Sequence, residues 1–329
     1  MYSIHKNTIY LFFIAIILIL LSGLRVVGGD PDSLSYEMHY NSFISLFESN
    51  YTQHEPFHYI LIAFSKQFTD SVNGLFLLYS LIQISIIFYA INKLRLDKLL
   101  AVAIYICLFY ILYAFVQIRV GVSVSIFLLS LYDIVNRNKM SFYVKMLFAF
   151  LFHYTAIIYL FFFMLDTKHI NRIIYALLPI IGIIVGLLGK SIIFNLVEIS
   201  NFLPDFISNK LLHSIALVKE GYFHPLSILS GYTVFKLLLY YTFLISVPYM
   251  KGKYTIVSLK VFGWSIFIMY LFMSISIFAV RLSDILAIVL IPLIIDFIKS
   301  FKQKEIILIS VLYFSFVMFA YSYFGYLKG

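Results

Sequence analysis

Apolar residues in this chain come in long, nearly unbroken runs separated by short polar stretches, rather than in the spaced stripes of a soluble amphipathic protein. A run of about 20 apolar residues is the length that crosses the hydrocarbon core of a bilayer as a helix. Such runs predict spans near residues 8–26, 73–92, 98–117, 120–136, 173–190, 226–249, 259–279, 282–298 and 305–326. Residues 141–165 form a further apolar block, either one long helix or two short ones meeting at Phe152-His153-Tyr154. Residues 56–69 are short and carry His58, Ser65, Lys66 and Gln67, which predicts an interfacial or re-entrant helix begun by Pro56. The expectation is an all-α, polytopic membrane protein of about ten to eleven transmembrane helices with additional re-entrant or interfacial helices. It forms one transmembrane domain over 1–329, with outer loops near 27–72 and 191–225. No internal repeat is visible. Gly182, Gly186 and Gly189 predict a face where another helix packs closely.

Composition strengthens this picture. The chain is 63% hydrophobic, 19% aromatic and 12% charged, which leaves no room for a soluble catalytic or nucleic-acid-binding domain. Its net charge of +9 is first explained by loops held on the cytoplasmic side. With the amino terminus inside, residues 56–69 not crossing, and 141–165 entering and returning as a pair, most Lys and Arg fall inside and most Asp and Glu outside. Arg25, Arg119, His153 and Arg281 then all arrive at the outer face. A single span at 141–165 reverses everything after it. The one cysteine, Cys107, lies in an apolar run, so the chain forms no internal disulfide or cysteine metal cluster. The first apolar run lacks a small-residue cleavage site and reads as an uncleaved span.

The residues that matter for chemistry are those that interrupt the apolar pattern. Arg119 stands in Gln-Ile-Arg-Val-Gly and Arg281 in Ala-Val-Arg-Leu-Ser-Asp. A charge placed centrally in a spanning helix costs about 2.5 to 3.5 kcal/mol on insertion scales, so it usually has a partner or a ligand. The bland alternatives are snorkelling, and for Arg281 an ion pair with Asp284. His153 sits at the midpoint of its apolar block. Residues 22–58 form a polar, acidic, glycine-broken stretch containing Arg25, Gly28, Gly29, Asp30, Asp32, Tyr36 and Glu55. Glu55 before Pro56 suits an acidic helix start as well as a catalytic role. His54-Glu55-Pro56-Phe57-His58 is not a zinc signature, because the intervening proline keeps the two histidines off one helical face. No Walker, dinucleotide, D-x-D or nucleophile-elbow motif occurs. Arginines gathered at an outer face describe a pocket for an anion carried by a lipid, with a pyrophosphate the natural candidate.

The order Arg25-x-x-Gly28-Gly29-Asp30 with Tyr36, Glu55-Pro56-Phe57, Gln117-Ile118-Arg119, Phe152-His153-Tyr154-Thr155 and a late Arg281 resembles the EpsG family of bacterial exopolysaccharide and O-antigen polymerases of the Wzy type. The resemblance covers roughly residues 20–290. Gly29 and Pro31 depart from its usual pattern, which has Thr and an aromatic residue there. It implies a GT-C-like, metal-independent glycosyltransferase with no cofactor, in the bacterial cytoplasmic membrane with its site facing outward. Such an enzyme joins oligosaccharide repeat units carried on undecaprenyl pyrophosphate, beside a flippase and a chain-length regulator of the same pathway and without nucleic acid. By carry-over, Arg25, Arg119 and Arg281, with Asp32 and Tyr36, hold the substrate. His153, Glu55 or Asp30 is the catalytic base, and the residues do not choose among them. A flippase or other transporter, a ligase, a single-sugar transferase and an acyltransferase are the competing readings.

Overall fold

The computed structural model describes residues 2–45, 54–188 and 224–301, with isolated positions 208, 212, 215, 216, 218, 220 and 317. Every described element is helical. The chain forms two compact units, Met1–Phe163 with Phe301–Gly329, and Met164–Ser300.

In the first unit the helices are α1 (Tyr2–Gly23), α2 (Ser33–Ser42), α3 (Pro56–Ser65), α4 (Asn73–Lys93), α5 (Lys98–Tyr105), α6 (Ile118–Asn136) and α7 (Lys139–Phe152). From α5 the chain runs on as a π-helix over Ile106–Val116, and after α7 as a 3-10 helix over Tyr154–Met164. The centre is α4, packed between α1 and α6, while α7 lies on the other side of α6. Close approach depends on small residues: a Cβ at Gly121 of α6 would stand 2.6 Å from the Gln83 Oε1 of α4. Gln83 in turn donates to the Tyr105 hydroxyl at 2.9 Å, a polar link from α4 to α5 within the apolar core. Arg95 and Arg137 end their helices in the left-handed conformation (φ 54° and 56°). Asp97 and Asn138 then cap the next helices through the Leu100 and Ser141 amides.

The block at 141–165 is broken at His153, which is extended (φ −159°, ψ 123°). Its two halves fold back on each other. At 14 residues of α-helix and 11 of 3-10 helix, they have similar lengths of roughly 20 Å. Phe163 near the end of the second half meets Phe142 near the start of the first, with ring centroids 4.9 Å apart. The Arg137 guanidinium donates to the Phe163 carbonyl at 2.7 Å. The two short helices therefore form a hairpin with His153 at its tip.

The second unit contains α8 (Arg172–Leu188), α9 (Gly231–Ser246) with a 3-10 turn Val247–Tyr249, α10 (Thr255–Leu271), α11 (Ser276–Ala287) and α12 (Leu290–Lys299). At its centre α10 packs on α8 and α11. Gly182 and Gly186 of α8 are the contact face, as their spacing predicts: a Cβ at Gly182 would reach 2.9 Å from the Phe267 carbonyl of α10. Where the sequence places a boundary next to Arg281, the chain instead carries α11 straight through it, since arginine is a good helix former. The breaks fall at residues 272–275 and at Ile288–Val289, where α11 and α12 meet at 53°. Pro292 accounts for the second break, because its ring clashes with the carbonyl four residues earlier.

By length and composition, four described helical stretches can cross a membrane: Asn73–Lys93, Lys98–Val116, Ile118–Asn136 and Gly231–Tyr249. The bent pair α11–α12 makes a fifth if it is one span, and five shorter apolar helices accompany them. The expected span at 305–326 and most of the loop at 191–225 lie outside the described residues.

Candidate functional site: a buried arginine, carboxylate and histidine at three chain breaks

The polar stretch after α1 is organised by Asp30. Its Oδ1 accepts the Asp32 and Ser33 amides at 3.1 and 2.9 Å, which starts α2, and Gly28 (φ +82°) supplies the turn that lets the chain fold back there. Asp30 Oδ2 lies 3.2 Å from Arg25 Nε. Arg25 Nη1 donates to the Ser22 and Ala114 carbonyls at 3.1 and 2.8 Å, and its guanidinium carbon sits 3.7 Å over the Phe76 ring. The two side chains are only 3% and 1% exposed. Arg25 and Asp30 therefore hold each other and the loop. The two residues expected at the substrate, Arg25 as an anion ligand and Asp30 as a base, are here turned to each other and to the protein interior.

A second arginine is placed differently. Arg119 is the second residue of α6, just after the break at Gln117 (φ −101°, ψ 59°) that separates the π-helix from α6. Its Nη1 is ion-paired to Glu55 Oε2. Glu55 is the N-cap residue of α3 but makes no capping hydrogen bond with its side chain. The carboxylate crosses instead to other elements: Oε1 is 2.7 Å from His153 Nδ1 and 3.5 Å from the Tyr154 amide. Three breaks, at Glu55, Gln117 and His153, thus bring the positive ends of three helices to one carboxylate and one guanidinium. Glu55 is fully buried, whereas Arg119 and His153 are 16% and 17% exposed, so the cation and the imidazole form the accessible edge. Arg119 Nε is buried with no hydrogen-bond partner among the described residues. A buried donor of that kind needs an acceptor to offset its desolvation.

Around this group stand aromatic residues. The buried Tyr36 of α2 stands beside Arg119, whose guanidinium lies 5.7 Å from its ring, and it packs edge-on against His58 and Phe76. Burial pushes the Tyr36 hydroxyl above its ordinary range, with the Arg119 charge pulling the other way. The order Arg25, Phe76, Tyr36, Arg119 makes Arg25 the outer brace of the Arg119 site, two rings behind it. Asp32, half-buried, is the N-cap of α2 without a side-chain capping bond.

Arg281 belongs to the second unit, where it is exposed on α11. The expected alternative of a local pair with Asp284 does not describe it, because Asp284 takes the Lys236 ammonium at 2.7 Å and the Tyr232 hydroxyl at 2.5 Å. Lys236 also donates to Ser283 at 2.8 Å, which ties α9 to α11. Sequence reasoning left Lys236 aside as a charge within a span, although a charge there is the signal for a buried partner. It also missed His54, whose Nδ1 lies 3.0 Å from Arg119 Nη1. Among the described residues no three His, Cys, Asp or Glu groups are placed to hold a metal ion.

No curated protein and no solved structure matches the chain. A family model does match, over residues 8–328, and by that match the chain belongs to the EpsG family, which is associated with polysaccharide polymerase-like proteins.

Proposed function

We propose that this protein is a Wzy-type polysaccharide polymerase that joins oligosaccharide repeat units carried on undecaprenyl pyrophosphate at the outer face of the bacterial cytoplasmic membrane. The observation that carries this reading is the Arg119–Glu55–His153 group at the meeting of three helix starts. It offers an anion a guanidinium with an unpartnered Nε donor beside an imidazole whose other nitrogen is turned to a carboxylate. Four described helices, or five with the bent pair, are long and apolar enough to cross a membrane, which supports a polytopic membrane enzyme.

In the reaction an acceptor sugar hydroxyl attacks the anomeric carbon of the donor. A new glycosidic bond forms, the bond to the pyrophosphate oxygen breaks, and undecaprenyl pyrophosphate leaves. Arg119 neutralises the charge that grows on the departing pyrophosphate, without a metal ion. With Nδ1 turned to Glu55, His153 takes the acceptor proton on Nε2. Glu55 orients the ring and stabilises the imidazolium that forms, as the carboxylate does in a catalytic triad. Arg25, Asp30, Asp32 and Tyr36 hold Arg119 and the loop in place.

The test is the length of the surface polysaccharide in cells that depend on this gene. His153→Gln and Arg119→Lys, with protein abundance measured in parallel, are expected to reduce it to single repeat units, and chelators to leave the wild type unchanged. Normal chains from both variants would refute the assignment. Repeat units held in the inner leaflet would favour a flippase.

A further inference from the structure

The π-helix ends where the Gln117 amide donates to the Leu112 carbonyl at 2.8 Å, five residues back, and α6 opens its own ladder with the Gly121 amide on the Gln117 carbonyl at 2.8 Å. Between these two rungs the chain turns back on itself. A Cβ at Gly121 would stand 2.5 Å from the Tyr113 carbonyl oxygen, whereas residues eight apart in a straight helix are about 12 Å apart. The carbonyls of Ala114, Phe115 and Val116 lie past the last rung of the π-helix, and Ala114 and Val116 are buried. A helix end leaves its final carbonyls without partners in its own ladder, and in an apolar interior such a carbonyl needs a donor from elsewhere.

For Ala114 that donor is Arg25, whose Nη1 reaches its carbonyl at 2.8 Å across 89 positions of sequence. Tyr110, four residues earlier in the π-helix, donates to the Leu18 carbonyl of α1 at 2.5 Å, so α1 and the residues after it grip this end of the π-helix twice. Arg25 is itself held by Asp30 and the Ser22 carbonyl, its guanidinium carbon stands 3.7 and 5.8 Å from the rings of Phe76 and Phe115, and its Nη2 is buried without a hydrogen-bond partner. A cation is favoured at the carbonyl end of a helix and disfavoured at the amide end. Arg25 occupies the first kind of place. Arg119, in the first turn of α6, occupies the second, where a guanidinium needs an anion such as Glu55 beside it. We infer that Arg25 is a positioning residue for Arg119: by capping the π-helix at Ala114 it fixes the reversal at Gln117, and so aims the guanidinium two residues further on. The route from one arginine to the other is the backbone, not a shared ligand. This rests on the pyrophosphate reading above and adds how the arginine of that site is placed.

Solid-state NMR of the full chain in liposomes of a phosphate-free glycolipid tests it, with nitrogen-labelled arginine and carbonyl-labelled alanine. Each signal is assigned by its loss in Arg25→Lys, Arg119→Lys or Ala114→Gly. With undecaprenyl pyrophosphate added, phosphorus is expected to dephase the Arg119 guanidinium and not that of Arg25, while Arg25 stays in contact with the Ala114 carbonyl. Phosphorus at Arg25, or an Arg25 away from Ala114, overturns the inference. A second arm needs no ligand. With the Glu55 carboxyl carbon labelled, its contact with Arg119 is expected to weaken in Arg25→Met and to return in Arg25→Lys, which keeps a charged donor for the Ala114 carbonyl. Release of undecaprenyl pyrophosphate from lipid-linked repeat units should follow the same order, about tenfold slower in Arg25→Met and largely recovered in Arg25→Lys. Arg119→Lys recovers nothing of the kind, because the planar fork is lost. An Arg119–Glu55 contact unchanged in Arg25→Met, or an Arg25→Lys protein as slow as Arg25→Met, overturns the inference. If Arg25→Met does not fold, the wild-type spectra and Arg25→Lys decide alone. Phosphorus at neither arginine would refute the pyrophosphate reading, while an Arg25–Ala114 contact and a weakened Arg119–Glu55 contact in Arg25→Met would still uphold the cap.

Discussion

Replacing Arg119 by methionine removes one partner of an ion pair whose carboxylate is fully buried. The guanidinium is itself only 16% exposed, so solvent screens little of the interaction. Breaking such a pair from one side leaves an uncompensated charge in an apolar interior, at a cost of about 3 to 5 kcal/mol. Glu55→Leu strands the guanidinium in turn and should cost a similar amount. Replacing both partners by apolar side chains removes the stranded charge altogether. Such exchanges are often close to neutral, so the double variant should recover a coupling energy of about 2 kcal/mol or more. Cys107, the one cysteine, lies half-buried in the π-helical stretch of the same unit, so a thiol-reactive dye added during heating reports the opening of this unit. Both single variants are expected to unfold at clearly lower temperatures than wild type, with the double variant between them and wild type. Losses in the double variant equal to the sum of the singles would show that Arg119 and Glu55 are not energetically paired, and would refute the geometry on which the site rests. A consequence for functional work is that Arg119→Ala conflates lost stability with lost chemistry. Arg119→Lys keeps a charge for Glu55 while removing the planar fork, and isolates the chemistry.

Gly121→Ala should destabilise the first unit by about 1 to 3 kcal/mol, read with the same dye, because its Cβ would meet Gln83 Oε1 at 2.6 Å and helices α4 and α6 must part. Lys236→Met alone, which leaves Asp284 without its ammonium, should lower the yield of folded protein by detergent-stable gel filtration, and Lys236→Met with Asp284→Leu should restore much of it. His39 is held below its ordinary range by burial, so the unfolded chain takes up its proton more readily. Its contribution to stability is therefore complete above the ordinary histidine range and declines as pH falls through it; acidification should lower the melting temperature of wild type more than that of His39→Asn. Single cysteines at Ser49 and Ser208, with Cys107 replaced, should label with an impermeant thiol reagent in intact cells, and labelling only after lysis would overturn the outward assignment of both loops.

Much of the helical layout is legible because long apolar runs leave few alternatives. The runs at 73–92, 98–117 and 120–136 appear as Asn73–Lys93, Lys98–Val116 and Ile118–Asn136. The break within 141–165 is legible in the one polar residue at its midpoint, His153, but its folding into a hairpin depends on Phe163 meeting Phe142, which no local pattern encodes. Arg281 reads as a helix boundary because a charge in an apolar run looks like an end, whereas the bends come from residues 272–275 and from Pro292.

Of the site, the individual residues are visible and their partners are not. Arg25 and Arg119 look alike in sequence, each a charge at the end of an apolar run. Only the fold shows that one is closed against Asp30 and Phe76 while the other shares Glu55 with His153. The direction taken by Glu55 is likewise hidden, since an N-cap position suggests a local hydrogen bond and the side chain makes a distant one instead. His54 and Lys236 meet partners 65 and 48 positions away, a separation at which sequence pattern carries no register.

The central claim is that Arg119 and His153 act on a glycan carried by a lipid pyrophosphate. It is tested most directly by reconstituting the purified full chain in liposomes with undecaprenyl-pyrophosphate-linked repeat units and measuring released undecaprenyl pyrophosphate against glycan length. Release in step with chain growth is predicted, slowed about a hundredfold or more by Arg119→Lys and by His153→Gln. Movement of the lipid across the bilayer without its release, or full release from both variants, would contradict the account.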